Sequence, residues 1–272
     1  MTRHVMEALG KARVVIEDGK VVEIGEPQVK FCPLFKKYRN IDEFNEHTIR
    51  ENMEYRIASF GMCTPSRQVR MKDFLSFGIS ELLSLALRDG TIDAAVIAAD
   101  GTGTCIIKDH DIVQGLGGRI SGIVETSPID RVMDEIGREF ILDTEKAAID
   151  QFAGVSKALA MGFGKVGVTI TKADDAMNIR NAFGDSVIIM AVHTTGASMA
   201  DAGRLFDACD IITACASESI RKVAKDRSIL QAGTKVPVYA SREPGKILIL
   251  SKLKELGREP SEGEDSQPSP LI

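Results

Sequence analysis

The sequence contains no tryptophan and only 5% aromatic residues, so it is poorly supplied with stacking platforms for bases or sugars. With 34 Lys and Arg against 39 Asp and Glu the net charge is −5, which argues against a phosphate-backbone binder and for no nucleic-acid partner. No stretch approaches the ~20 consecutive apolar residues of a membrane-spanning helix. The opening MTRHVMEALGK has no hydrophobic signal core, so a cytoplasmic protein with no membrane partner is expected. The Gly-Lys-Ser/Thr ending of a P-loop does not occur, which argues against a nucleoside-triphosphate hydrolase. Compact Cys-x-x-Cys spacings are missing as well. The five cysteines, Cys32, Cys63, Cys105, Cys209 and Cys215, are scattered and odd in number, so free thiols or metal ligands fit better than a disulfide framework.

What remains is ordinary globular composition: 272 residues, 44% hydrophobic and 27% charged. A chain of this length buries roughly 70–75% of its unfolded surface, enough for one large domain or two small ones. The stretch Arg13 to Gly25 sets two β-branched runs around Asp18-Gly19, a hairpin signal. Thr48 and Glu51 read as a capping box for a helix from about Ile49 to Phe60, stopped at Gly61. A helical pattern follows from Asp73, and IDAAVIAAD then reads as a strand buried on both faces. ISGIVET is a further strand, followed by a helix with Ser127 as N-cap and Pro128 at its first position. Asp143 to Met161 reads as one long helix, and VGVTIT, SVIIMAVH, DIITACAS and VPVYAS recur as strands with helices between them. KILILSKLKEL fits a helix or an edge strand.

This rhythm predicts an α/β protein with a mostly parallel, doubly wound, Rossmann-like sheet. The expected boundaries are an N-terminal hairpin-and-helix appendage over 1–66, an α/β core over 67–257 and a disordered acidic tail over 258–272.

Ligands of open parallel sheets bind outside the carboxyl ends of the strands. Polar residues there are therefore the candidates. Asp100 precedes Gly101, Thr102, Gly103 and Thr104, a glycine-hydroxyl loop that suits an anion or, equally, a tight turn. His193 leads Thr194, Thr195 and Gly196 and could serve as a general base, a metal ligand or a structural hydrogen-bonding residue. Cys215 sits just before a helix start, where a thiolate nucleophile or simple packing is expected. Arg119 could clamp a phosphate or carboxylate. Cys32 and Cys63 lie beside or near prolines and could ligate a metal. Arg67, Arg70 and Lys72 read as a solvated basic cluster or a cationic lip, and His4, His47 and His110 as exposed histidines.

Taken together, KFCPLFKKY, FGMCTPSRQVRMKDFLSFGISELLSLALRDG, IDAAVIAADGTGTC, DIVQGLGGRISGIVETSPI and AVHTTG resemble the methanogenesis marker protein 8 family of archaea, across nearly the whole chain apart from the tail. The resemblance implies a cytoplasmic protein of methane-producing archaea acting in methanogenesis or in maturing its enzymes, with the methyl-coenzyme M reductase system as client. It assigns no reaction and no catalytic residue. SELLSLALRDGTIDAAVIAADG with DHDIVQGLGGR is also similar, over about fifty residues, to the N-terminal part of the β subunits of deazaflavin-dependent hydrogenases and formate dehydrogenases, a fold-level likeness. That likeness implies a flavin or deazaflavin ligand, without the iron–sulfur cysteine runs of those subunits. Three functions are thus open: an accessory protein binding an anionic small molecule or a methanogenic enzyme complex, a redox or group-transfer enzyme using a flavin, deazaflavin or nucleotide-like ligand, and a thiolate metal or iron–sulfur scaffold. Self-association is left open.

Overall fold

The computed structural model describes residues 1–72, 77–118 and 122–272. It begins with β1 (Arg3–Glu7), β2 (Arg13–Glu17) and β3 (Lys20–Ile24), followed by α1 (Pro33–Arg39) and α2 (Glu46–Phe60). The β2–β3 hairpin turns on Asp18 and Gly19, both at positive φ, as a type I′ turn requires. The α2 N-cap is Asn45 rather than Thr48: the Asn45 side chain accepts from the Thr48 amide while the Thr48 hydroxyl accepts from the Asn45 amide. That reciprocal pair starts the helix one turn earlier than the sequence pattern suggests.

The chain continues through α3 (Ile79–Arg88), β4 (Ala94–Ala99), β5 (Gly103–Ile107), α4 (His110–Gly117), β6 (Ile123–Thr126) and α5 (Asp130–Ile136). Then come α6 (Gln151–Ala160), β7 (Val166–Ile170), α7 (Ala173–Phe183), β8 (Val187–Ala191), α8 (Met199–Ala208), β9 (Ile211–Thr213), α9 (Glu218–Arg227), β10 (Leu230–Ala232), β11 (Val238–Ala240) and α10 (Glu243–Glu255). The helical start expected at Asp73 lies outside the described residues. No described helix is long and apolar enough to cross a membrane.

Seven strands form one sheet in the order β10-β11-β9-β8-β7-β4-β5, parallel across its centre and antiparallel at both edges. One core cluster packs residues of α6, α7, α8 and α9 against one face; a second packs α3, α4 and α10 against the other. Both faces are therefore covered, which explains why central strands such as VIIMA carry apolar residues at every position. The parallel run advances in one direction from β4 to β9, and VPVYAS joins it antiparallel as β11.

ISGIVET does not enter this sheet. Its described part, β6, pairs antiparallel with β1 and completes a second, four-stranded sheet in the order β3-β2-β1-β6. Ser127 does not cap α5: its hydroxyl accepts from the Arg3 amide and donates to the Arg3 carbonyl, stitching β6 to β1. The long helix expected from Asp143 is only α6, capped by Asp150, because the preceding turn bends Ala147 into positive φ against the β4–β5 hairpin.

The tail beyond Arg258, expected to be disordered, is tied down. Ser269 exchanges backbone bonds with Phe31, Ile272 bonds Ala216 and Glu218, and Glu264 lies 3.0 Å from the buried Arg221 guanidinium.

Candidate functional site

The strand register sets the height of each candidate. Val96 pairs with Val168, Ile170 with Ala191, and Ala191 with Ile212, so Asp100 and His193 emerge at the same edge, two strand spacings or roughly 10 Å apart. Cys215 leaves β9 beside them. The shared rim exists, but its two halves differ in chemistry.

On the β4 side the rim is closed. Gly101 to Gly103 form a hairpin turn between the antiparallel strands β4 and β5, instead of a loop leading into a helix. Thr102 and Thr104 are wholly buried, and their hydroxyls are used internally: Thr102 on the Ala99 and Gly103 carbonyls, Thr104 with Gln151 and the Asp150 amide. The Gly101 amide donates to the Thr126 hydroxyl. Gly103, at φ +62, lies so close to Ala147 that a β-carbon would stand 2.0 Å from its carbonyl oxygen. No face of this turn is left for an anion.

Asp100 is fully buried as well. Its carboxylate accepts Arg67 Nε at 3.0 and 3.1 Å and the Cys63 amide at 2.7 Å. Arg67 is therefore no cationic lip. Its guanidinium, 0% exposed, also donates to the Gln68 and Gly115 carbonyls and stacks 5.2 Å from the Phe60 ring. This pair fastens the N-terminal segment to the β4 end. Arg70 instead meets Asp109 at the surface. His4, expected at the surface, is buried, with Nδ1 2.7 Å from the Thr126 hydroxyl and Nε2 without a partner. Arg119 lies outside the described residues.

On the β8–β9 side a cavity of about 220 Å³ opens between the second sheet and the strand ends. Its apolar wall comes from Leu9, Val29, Leu34, Phe35, Phe44, Val236 and Pro268, and its polar wall from Glu7, Lys11, Cys32, His193, Thr195 and Cys215. Seven described residues other than glycine have positive φ, and three of them, Lys11 (φ 64), His193 (φ 55) and Cys215 (φ 45), line this cavity. Such conformations cost on the order of 1–3 kcal/mol each and gather where side chains must be aimed. Lys11 was not singled out by sequence reasoning. The signal lay in Gly10-Lys11, in the short helical turn Leu9–Lys11 between β1 and β2, which puts a cation beside the strand ends only once the two sheets meet.

The loop after β8 is held by its own hydroxyls. Thr194 donates to the Thr213 carbonyl, Thr195 accepts the Ala216 amide, and the Thr195 carbonyl accepts Lys11 Nζ at 3.1 Å. Gly196, at positive φ, bonds Ile272 of the tail. Thr194, Thr195 and Gly196 thus shape the wall. Lys11 meets no carboxylate within ion-pair distance among the described residues.

His193 Nε2 accepts the Gly122 amide at 2.9 Å, and Gly122 in turn receives the Glu7 amide on its carbonyl, so the imidazole clips β8 to β1. Burial lowers its pKa to about 4, and the lone pair a general base would use is already engaged. The folded state therefore resists protonation that the unfolded chain accepts near pH 6.5. Stability is expected to fall as pH drops through the window from about 6.5 to about 4, by about 2 kcal/mol at pH 5 for this group. His4, lowered by the same cause, adds to the slope. Urea titrations at pH 7.5 and 5 check this: His193→Gln should show a shallower pH dependence than wild type, and an unchanged slope would contradict it.

Cys32 and Cys63 have different surroundings. Cys63 is buried in the N-terminal core beside Asp100, and burial pushes its thiol well up. Cys32 instead faces the cavity as the residue before α1, and burial raises its thiol against the pull of the Phe35 and Leu34 amides. Among the described residues no group of three or more His, Cys, Asp or Glu is arranged to hold a metal. Cys215 lies across the same cavity, its sulfur 3.5 Å from the Thr213 hydroxyl. His193, Thr195, Cys215 and Cys32 are thus brought together with Lys11, whereas Asp100 and the glycine loop are walled off.

Comparison with known proteins agrees in extent with a single family. The chain is 42% identical over 283 residues to "Uncharacterized protein MJ0054" of Methanocaldococcus jannaschii, covering 100% of both sequences. No solved structure matches it. Residues 4–254, spanning both sheets and every wall of the cavity except Pro268, match the family described as uncharacterized protein conserved in archaea (DUF2099), and the chain belongs to that family.

Proposed function

We propose that this chain is a small-molecule-binding accessory protein of methane-producing archaea, which takes a compact, largely apolar organic anion into the cavity at the ends of β8 and β9. The observation that carries the reading is the convergence of three residues with strained backbone, Lys11, His193 and Cys215, on one apolar-walled space. Strain maintained at one place by two separate sheets is the pattern of a prepared site. The ammonium of Lys11 supplies the charge that an anion would meet, and its bond to a single carbonyl leaves donors to offer.

The size of the cavity bears on the ligand. At about 220 Å³ it is smaller than the ~300–1,000 Å³ of sites for drug-sized molecules. A flavin, deazaflavin or dinucleotide therefore loses support, and a small acid gains it. The methanogenic role rests on the resemblance of KFCPLFKKY, AVHTTG and the stretches between them to the methanogenesis marker protein 8 family.

Calorimetric titration with a panel of short-chain carboxylates and sulfonates tests the binding reading. At least one member should saturate the wild type and bind Lys11→Met about 10- to 100-fold more weakly, the usual loss for a charge-assisted hydrogen bond. Equal affinity for both proteins, or no saturable ligand in the panel, would contradict it.

A further inference from the structure

The five thiols divide into two groups. Cys63, Cys105 and Cys209 are at most 1% exposed, sit in the cores and have their ionisation opposed by burial. The two that keep some exposure, Cys32 and Cys215, line one cavity from opposite units of the fold. Cys32 belongs to the segment leading from the second sheet into α1, and Cys215 to the loop leaving β9. Both face one space of about 220 Å³. Free cysteines used as packing are normally sealed in hydrophobic cores, as the other three are. A convergent, partly exposed pair is the arrangement of sulfur chemistry.

The Cys215 sulfur is held in place. The Thr213 hydroxyl donates to the Ala191 carbonyl, so at 3.5 Å it is the acceptor for the Cys215 thiol and fixes its direction. The Cys215 carbonyl is anchored by Arg221 Nη2 at 2.9 Å. The Lys11 ammonium reaches the same loop through the Thr195 carbonyl, and Thr195 binds the Ala216 amide next to Cys215. A cation, the Glu7 carboxylate, an oriented thiol and a second thiol thus face a single small space, and the Lys11 ammonium is not paired with a carboxylate within ion-pair distance among the described residues.

We propose that this cavity exchanges thiols with a small acidic organic disulfide, with Cys215 as the attacking sulfur and Cys32 as the resolving one. The proposal rests on the binding reading above. In the first step the Cys215 thiolate attacks the bound disulfide. Its sulfur–sulfur bond breaks, a bond from Cys215 Sγ to one ligand sulfur forms, and the other half leaves as a thiol carrying the proton lost by Cys215. In the second step the Cys32 thiolate attacks Cys215 Sγ. The mixed disulfide breaks, a Cys32–Cys215 bond forms, and the second ligand thiol leaves with the Cys32 proton. Two electrons pass from the protein dithiol to the ligand disulfide. A dithiol reductant resets the pair. Cys215 goes first because the Thr213 hydroxyl holds its sulfur in place, whereas burial opposes ionisation of Cys32. The Lys11 ammonium, with donors left to offer, selects acidic ligands against the opposing charge of Glu7.

The experiment mixes the reduced full-length protein, without oxygen, with the disulfide of mercaptoacetate and, separately, with the cationic disulfide cystamine. Intact mass and peptide mapping follow the thiols. The acidic disulfide should convert the wild type to a Cys32–Cys215 crosslink, roughly tenfold or more faster than cystamine does. Cys32→Ser should stop at a mixed disulfide on Cys215, and Lys11→Met should erase the preference for the acidic probe. Independent adducts on Cys32 and Cys215, no preference between the probes, or no reaction would each overturn the exchange. Saturable binding of a thiol-free carboxylate in the calorimetric titration, alongside inert thiols, would leave the binding reading standing while removing this one.

Discussion

Asp100→Ala is expected to cost about 3–5 kcal/mol of folding stability, the usual penalty for stranding one member of a buried ion pair. Asp100 and Arg67 are both 0% exposed, and the carboxylate is the sole acidic partner of the guanidinium among the described residues. Its removal leaves Arg67 Nε and the Cys63 amide without acceptors in a space closed to water. Against a typical total of about 5–15 kcal/mol, that loss threatens the fold at ordinary temperatures. The remedy identifies the cause. Asp100→Leu combined with Arg67→Met removes both charges and should recover part of the deficit, the stranded-charge share of it, while the Cys63 amide and the Gln68 and Gly115 carbonyls stay without these partners. Urea unfolding of the single and double variants measures this. An Asp100→Ala protein as stable as wild type would show that the pair does not hold the N-terminal segment to the β4 end.

Gly103→Ala comes next in size. At φ +62 an added β-carbon costs about 1–2 kcal/mol in backbone strain. It would also stand 2.0 Å from the Ala147 carbonyl oxygen and 2.4 Å from its carbon, and backbone on both sides has little freedom to retreat. Overpacking adds about 1–3 kcal/mol, for a combined loss of about 2–5 kcal/mol. Thermal unfolding should show it as a large drop in the midpoint. If the glycine existed to admit a ligand, the substitution would spare stability and abolish binding instead. The two outcomes separate a buried hairpin from a phosphate cradle.

These two positions also show where the sequence was readable. Alternating βα segments gave the α/β class, because covered parallel strands must be apolar throughout, as VIIMA and AAVIAA are. The hairpin at Asp18-Gly19 and the stop at Gly61 were legible because each needs positive φ at a defined place. The rim was legible too, since register puts His193 and Cys215 at neighbouring strand ends.

What lay beyond reach were long-range pairings. DGTGTC has the composition of an anion loop and of a hairpin turn alike, and only the antiparallel partnering of β5 with β4 decides between them. The sequence places ISGIVET after a helix of the core, yet β6 pairs with β1, more than a hundred residues earlier. Arg67 looked like a surface charge because its partner, Asp100, lies 33 residues away. Lys11 and Cys32 gained their significance only when the second sheet came down on the ends of β8 and β9. Local pattern specifies elements. Tertiary closure specifies which side chains share a space.

The central claim is that the cavity between the two sheets, on the β8–β9 side and not at the glycine loop, is where this protein meets its small-molecule ligand. Native mass spectrometry of the full chain, expressed without oxygen in a methane-producing archaeon and compared with its Lys11→Met variant, addresses it most directly. The account predicts a small acidic adduct on the wild type that is absent from, or strongly depleted in, the variant. Wild-type protein free of any adduct, or an adduct carried equally by Lys11→Met, would contradict it.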